Sequence, residues 1–149
     1  MKRILAGIGG GIIAGAAGTA AMNYSMKLER RLRHEQPGGG GGAILKASEK
    51  VFGVVPKDEE GKKRFSTIMR WSYGSMWGVC RGLMSGIGLK GLPANIIFLG
   101  AVWGTKAKIM PAMEILPPVR EWGNRKVAVD ILHHGIYAEV TGLISDFLV

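Results

Sequence analysis

Residues 73–86 read YGSMWGVCRGLMSG, with glycine at 74, 78, 82 and 86 and a charged side chain, Arg81, among apolar neighbours. In water each glycine costs a helix roughly 1 kcal/mol relative to alanine. A soluble helix has little reason to place four at a constant interval. Lipid changes the balance, because no hydrophobic drive joins helices there. Small residues four apart line one stripe of a helix and let two backbones approach closely, so that packing does the joining. The spacing therefore predicts a helix in a membrane, with its glycine stripe as a contact surface.

The pattern recurs along the chain. Gly7, Gly11 and Gly15 are followed at the same step by Thr19, and shorter pairs occur at Gly100 and Gly104 and at Ala138 and Gly142. All of these positions are expected to pack helix on helix. A weak internal repeat aligns WGVCRGLM at 77–84 with YAEVTGLI at 137–144. It predicts two helices that run the same way and present related faces.

Residues 4–26 contain no charged side chain. A helix needs about 20 apolar residues to cross a bilayer core, and backbone in lipid is driven to pair its own polar groups as helix. A secretory signal has a similar outline. This run, however, lacks a leucine-rich centre and flows into the basic segment KLERRLRHE. Three more apolar stretches follow, each carrying charges. Together they predict an all-α fold: one domain over 1–149, an integral membrane bundle of four transmembrane helices at about 4–32, 65–89, 92–116 and 127–149. The rival is a soluble helical bundle. Between the first two helices, QPGGGGG at 36–42 reads as a hinge, and 43–53 as a short amphipathic helix with Ile44, Ala47, Val51 and Phe52 on one face. That helix either lies on the membrane surface or packs on the domain. Asp58, Glu59 and Glu60 suit a first helical turn, Pro111 should kink or end the third helix, and Pro117-Pro118 is a stop.

The net charge of +9 calls for an anionic partner, nucleic acid or anionic lipid headgroups. Its distribution chooses lipid. Ten of the 20 Lys and Arg lie between residues 27 and 64 and five more between 106 and 126, while the opposite ends hold only Lys2, Arg3 and Lys90. With four crossings, both basic connections fall on one side, as the excess of Lys and Arg in cytoplasmic loops requires. The expected location is the inner (plasma) membrane, multi-pass, with both termini outside the cytoplasm; the reversed orientation is the alternative. No single basic polar face is left for nucleic acid.

Charges inside the apolar stretches are expensive and call for partners. Arg81 and Glu139 fall at similar heights in the repeat alignment and are expected to pair. Arg70 and Asp130 lie nearer the cytoplasmic ends, to pair or to snorkel. His133 and His134 point about 100° apart on a helix, which is poorly suited to gripping one metal, so they read as an interfacial hydrogen-bonded pair. No CxxC, HExxH or nucleophile–base spacing is present, and neither a catalytic residue, a metal nor a cofactor is expected. Arg70, Arg81, Asp130, His133, His134 and Glu139 form the candidate intramembrane polar site.

GIIAGAAGTAAMNYSM with its basic sequel, LGAVWGTKAKIMPAMEILPPVREW and ILHHGIYAEVTGLI together make the chain resemble the YagU-like small bacterial inner-membrane proteins, a family of unknown function. The resemblance covers most of the chain and implies a helical inner-membrane protein without established chemistry. The chain departs from that pattern at Trp71-Ser72-Tyr73-Gly74, where a histidine is expected before the aromatic–glycine pair. The leading functional expectation is a non-enzymatic membrane interaction, structural or accessory protein, alone as a homo-oligomer or with a membrane-protein partner. The alternatives are a small transporter or channel with Arg81 and Glu139 in a polar pathway, and a membrane redox or haem-associated subunit using His133 or His134.

Overall fold

The structure is a computed structural model and describes residues 1–34 and 42–149. Most of the expected hinge at 36–42 lies outside those residues. Five α-helices and one short 3-10 turn are present, and the described residues contain no strand. The helices are α1 (Lys2–Leu32), α2 (Gly42–Phe52), α3 (Glu59–Gly86), α4 (Gly91–Ala112) and α5 (Asn124–Leu148).

Local chemistry sets their ends. Asp58 caps α3 by accepting from the Gly61 backbone N–H at 2.7 Å, and Glu59 and Glu60 fill the first turn. These acidic groups favour the helix N-terminus, and α3 accordingly begins six residues before the apolar run at 65. Lys62, hydrogen-bonded to Glu59 at 2.9 Å, holds that carboxyl below its ordinary value. At the other end α4 stops at Ala112, one residue after Pro111, instead of continuing to 116. Proline removes a backbone donor and clashes with the preceding turn, and Glu114 then takes a left-handed backbone with φ 57°.

The four long helices run alternately up and down. A Cβ on Gly7 would meet Gly82 O at 2.8 Å, one on Gly11 would meet Val79 Cα at 2.7 Å, and one on Gly15 would meet Ser75 Cα at 2.9 Å. α1 and α3 are therefore antiparallel and touch backbone to backbone along facing glycines. Gly86 completes the row against the Arg3 carbonyl at 3.1 Å. α5 lies against the other side of the α1 glycine helix, where Gly18 meets Thr141 and Tyr137. It runs parallel to α3, in the direction that the internal repeat predicts.

Three expected stripe positions behave differently. Gly100 and Gly104 have open space where a side chain would stand, because α4 turns Asn95, Phe98 and Val102 inward instead. Gly142 packs closest against α4. It makes room for the amide of Asn95, whose Cγ a Cβ there would meet at 2.6 Å.

The apolar core is small. Trp77, Phe98 and Tyr137 stack edge and tilt across α3, α4 and α5, with centroids 6.2 and 5.9 Å apart. Val102 and Ile115 are the other large apolar residues buried, and the rest of the buried interior among the described residues is glycine, alanine and polar groups. Among the described residues only α1 is long and apolar enough by composition to cross a membrane.

Candidate functional site

The six charged and histidine residues singled out in the sequence do not form one site. They divide between opposite ends of the bundle.

At the end where both termini lie, Arg81 is wholly buried. Its Nε and Nη2 donate to Asn95 Oδ1 at 3.0 and 2.8 Å, its Nη1 to Ser85 Oγ at 2.6 Å, and its Nη2 also to Asp146 Oδ2 at 2.9 Å. Ser85 in turn donates to Asp146 Oδ1 at 2.6 Å. The backbone N–H of Gly91 donates to Asp146 Oδ2 at 2.8 Å, and Lys90 reaches the Asp146 carbonyl at 3.2 Å. One carboxylate near the end of α5 thus ties the α3–α4 turn to the guanidinium.

The expected Arg81–Glu139 pair is corrected by this geometry. Asn95 of α4 stands between them, accepting from Arg81 and donating its Nδ2 to Glu139 Oε2 at 2.9 Å. The α4 helix intervenes, and the guanidinium follows Ser85 toward the C-terminal end of α3, where Asp146 accepts from it. Glu139 itself is exposed on the bundle flank. The available signal for Asn95 was an amide inside the apolar run ANIIFLG. For Ser85 it was the spacing of four from Arg81.

At the opposite end, α1 and α5 are joined through His133, with Nδ1 2.7 Å from Ser25 Oγ and Nε2 2.9 Å from Glu29 Oε2. His134 donates Nδ1 to the Asp130 carbonyl at 2.8 Å, one turn back. The two rings therefore diverge, as adjacent helical residues must. Asp130 does not take Arg70. Its carboxylate accepts from Trp103 Nε1 at 3.0 Å and from Lys106 Nζ at 2.5 Å. Arg70 donates to Asn23 Oδ1 at 3.1 Å. Trp122 bonds the Pro117 carbonyl at 2.7 Å, and Lys106 and Lys126 lie 5.6 and 5.9 Å from its ring centre. Among the described residues no three of His, Cys, Asp and Glu are grouped to hold a metal.

Two cavities open at this same end. One, of about 540 Å³, is lined by Arg30, Arg125, Lys126 and Trp122 together with Glu29 and Asp130. The other, of about 580 Å³, lies beneath α2, whose Ile44, Ala47, Val51 and Phe52 face it. α2 is held there by Lys50, which donates to the Met113 carbonyl. Neither cavity reaches Arg81 or Glu139.

Chemically, the first cluster is a closed set of mutually satisfied charges, and the second is a cationic, aromatic rim around apolar space. Comparison with protein-family models, curated proteins and solved structures finds no match for this chain.

Proposed function

We propose that the chain is a four-crossing membrane protein with a non-enzymatic, accessory or structural role. The observation that carries this reading is the inverted distribution of side chains. Among the described residues, twenty-six large apolar side chains are exposed, whereas the seven buried apolar residues include three alanines. The exposed set rings every long helix: Ile4 and Ile12 on α1, Ile68 and Met76 on α3, Ile96 and Ile97 on α4, Leu132 and Leu143 on α5. Arg81, Asn95, Ser85, Thr141, His133 and His134 are inside. Water would penalise so much contiguous apolar surface, while lipid favours it and forces polar groups inward.

Only α1 is apolar enough on average to pass as a span, and in α3, α4 and α5 part of the charge is taken up between helices, Arg81 by Asp146 and Lys106 by Asp130. The cationic rim at one end supports contact with anionic headgroups, at about 1 kcal/mol per basic residue near the surface. The resemblance to YagU-like proteins agrees with the reading and contributes no catalytic residue. The transporter reading stands behind it, since Arg81 is sealed by its partners and borders neither cavity.

Native mass spectrometry of the protein extracted from its own membrane in mild detergent tests the role. A stoichiometric foreign membrane protein is the expected result. A bare monomer or homo-oligomer would overturn the accessory role and bring the transporter reading forward.

A further inference from the structure

We infer that the cavity beneath α2 binds an amphiphile with an acidic head and a long alkyl chain. The inference deepens the membrane reading by naming a lipid-class ligand for the same bundle.

Size comes first. A volume of about 580 Å³ falls within the range of ligand sites, roughly 300–1,000 Å³. The walls come next. Six of the chain's eight methionines, Met22, Met26, Met69, Met76, Met110 and Met113, line this one space. Unbranched thioether side chains adapt to partners of variable shape. A flexible alkyl chain suits such a wall better than a rigid ring system. The roof is incomplete: Val51 and Phe52 line the cavity yet stay 60% and 62% exposed. The chain's own side chains leave apolar surface that a tail would cover.

The polar groups on the wall choose the head. Arg70 and Lys106 both border the cavity, with His134 nearby, and no carboxylate lies among its described lining residues. Arg70 is held by Asn23 and Lys106 by Asp130. Both cations are thereby positioned at the wall, and a guanidinium and an ammonium each make charge-assisted hydrogen bonds to acidic groups. Two positioned cations beside an apolar chamber fit an anion joined to a tail. They also sit at the bundle end where the basic connections lie, the depth at which lipid headgroups are found.

A free long-chain carboxylate and an anionic phospholipid share this chemistry, and binding separates them. The full chain, purified in mild detergent, is titrated with oleate, oleyl alcohol, phosphatidylglycerol and phosphatidylcholine and read by native mass spectrometry. One acidic ligand per chain is expected, preferred about tenfold over its neutral-headed counterpart. Preference for oleate alone assigns the free acid, and preference for phosphatidylglycerol alone assigns the phospholipid. Arg70→Gln and Lys106→Gln should each reduce the preference while leaving neutral binding unchanged. Ala47→Trp, which fills the chamber, should abolish both. Should that variant fail to fold, Val51→Trp at its exposed roof position serves instead. Equal retention of all four ligands, no retention of any, or undiminished binding in the filled variant would each overturn the inference. Those results leave the crossings untouched, since labelling of the chain from either side of the membrane tests them separately.

Discussion

A single methyl group separates the two kinds of glycine in this bundle. At Gly78 an added Cβ would lie 2.5 Å from the Cα of Gly15, so the helices must part. At Gly104 it would meet nothing within 4 Å. Gly78→Ala should therefore cost about 1–3 kcal/mol, the usual penalty of overpacking, while Gly104→Ala should be neutral or stabilise by up to about 1 kcal/mol through helix propensity. Thermal unfolding of the two variants in detergent checks the contrast, and equal melting shifts would contradict it. The buried guanidinium gives a second prediction. Asp146→Asn removes the only carboxylate that pairs with Arg81 among the described residues. Stranding a buried charge costs about 3–5 kcal/mol, and the same measurement should find a loss at the lower end because Asn95 and Ser85 remain. Changing Glu139 to Gln should cost much less, since Glu139 reaches the arginine only through Asn95. Equal losses for the two would restore Glu139 as the direct partner. Arg81 was legible in the sequence, because a charge amid apolar residues announces itself. Its partner was not, since Asp146 lies far along the chain and the choice rests on how an arginine side chain leans.

At the scale of elements, the periodic features read well and the terminal ones less so. The α1 and α3 stripes carry their meaning in their spacing, because four-residue repetition can serve only one face. The Gly100 and Gly104 pair has the same spacing and an open face, so a repeat of two does not fix a direction. The ends of α3 and α4 depended on single residues: Asp58 adds a cap that extends α3 through polar sequence, and Pro111 closes α4 before its apolar run is spent. The amphipathic helix was visible as a pattern, and its place was not. The face carrying Ile44 and Ala47 turns toward the cavity, and the Lys50 contact with the Met113 carbonyl sets its position. That contact is exposed and stands at one end of α2. Lys50→Ala should accordingly raise hydrogen exchange in α2 while α1 and α3 keep their protection, since local opening follows the weakest set of contacts. Faster exchange spread evenly over all helices would show instead that α2 is integral to the bundle.

For the whole molecule, the number of crossings is the decisive quantity, and three arrangements give three different labelling patterns. Cys80 is the chain's one cysteine and is exposed, so Cys80→Ser provides a background free of thiols. Lys2, Lys57, Lys90 and Arg120 are all exposed and sit at successive ends of the long helices, so each tolerates a cysteine without loss of core. If four helices cross, an impermeant maleimide applied to intact cells whose outer envelope is open should label positions 2 and 90. It should reach 57 and 120 only after the membrane is breached. If α1 alone crosses, position 2 should stand on one side and 57, 90 and 120 together on the other. The reversed orientation exchanges the two pairs. The charge pattern supports the first of these as the expected outcome. Fifteen of the 20 basic residues lie in the 27–64 and 106–126 segments, and the up–down packing of α1, α3, α4 and α5 brings those segments to one end of the bundle. A single-crossing chain has no cause to sort its cations between alternate ends of helices that never enter lipid. A four-crossing chain must do so, because basic connections resist translocation. The alternating label is therefore the expected outcome, with 57 and 120 protected in intact cells.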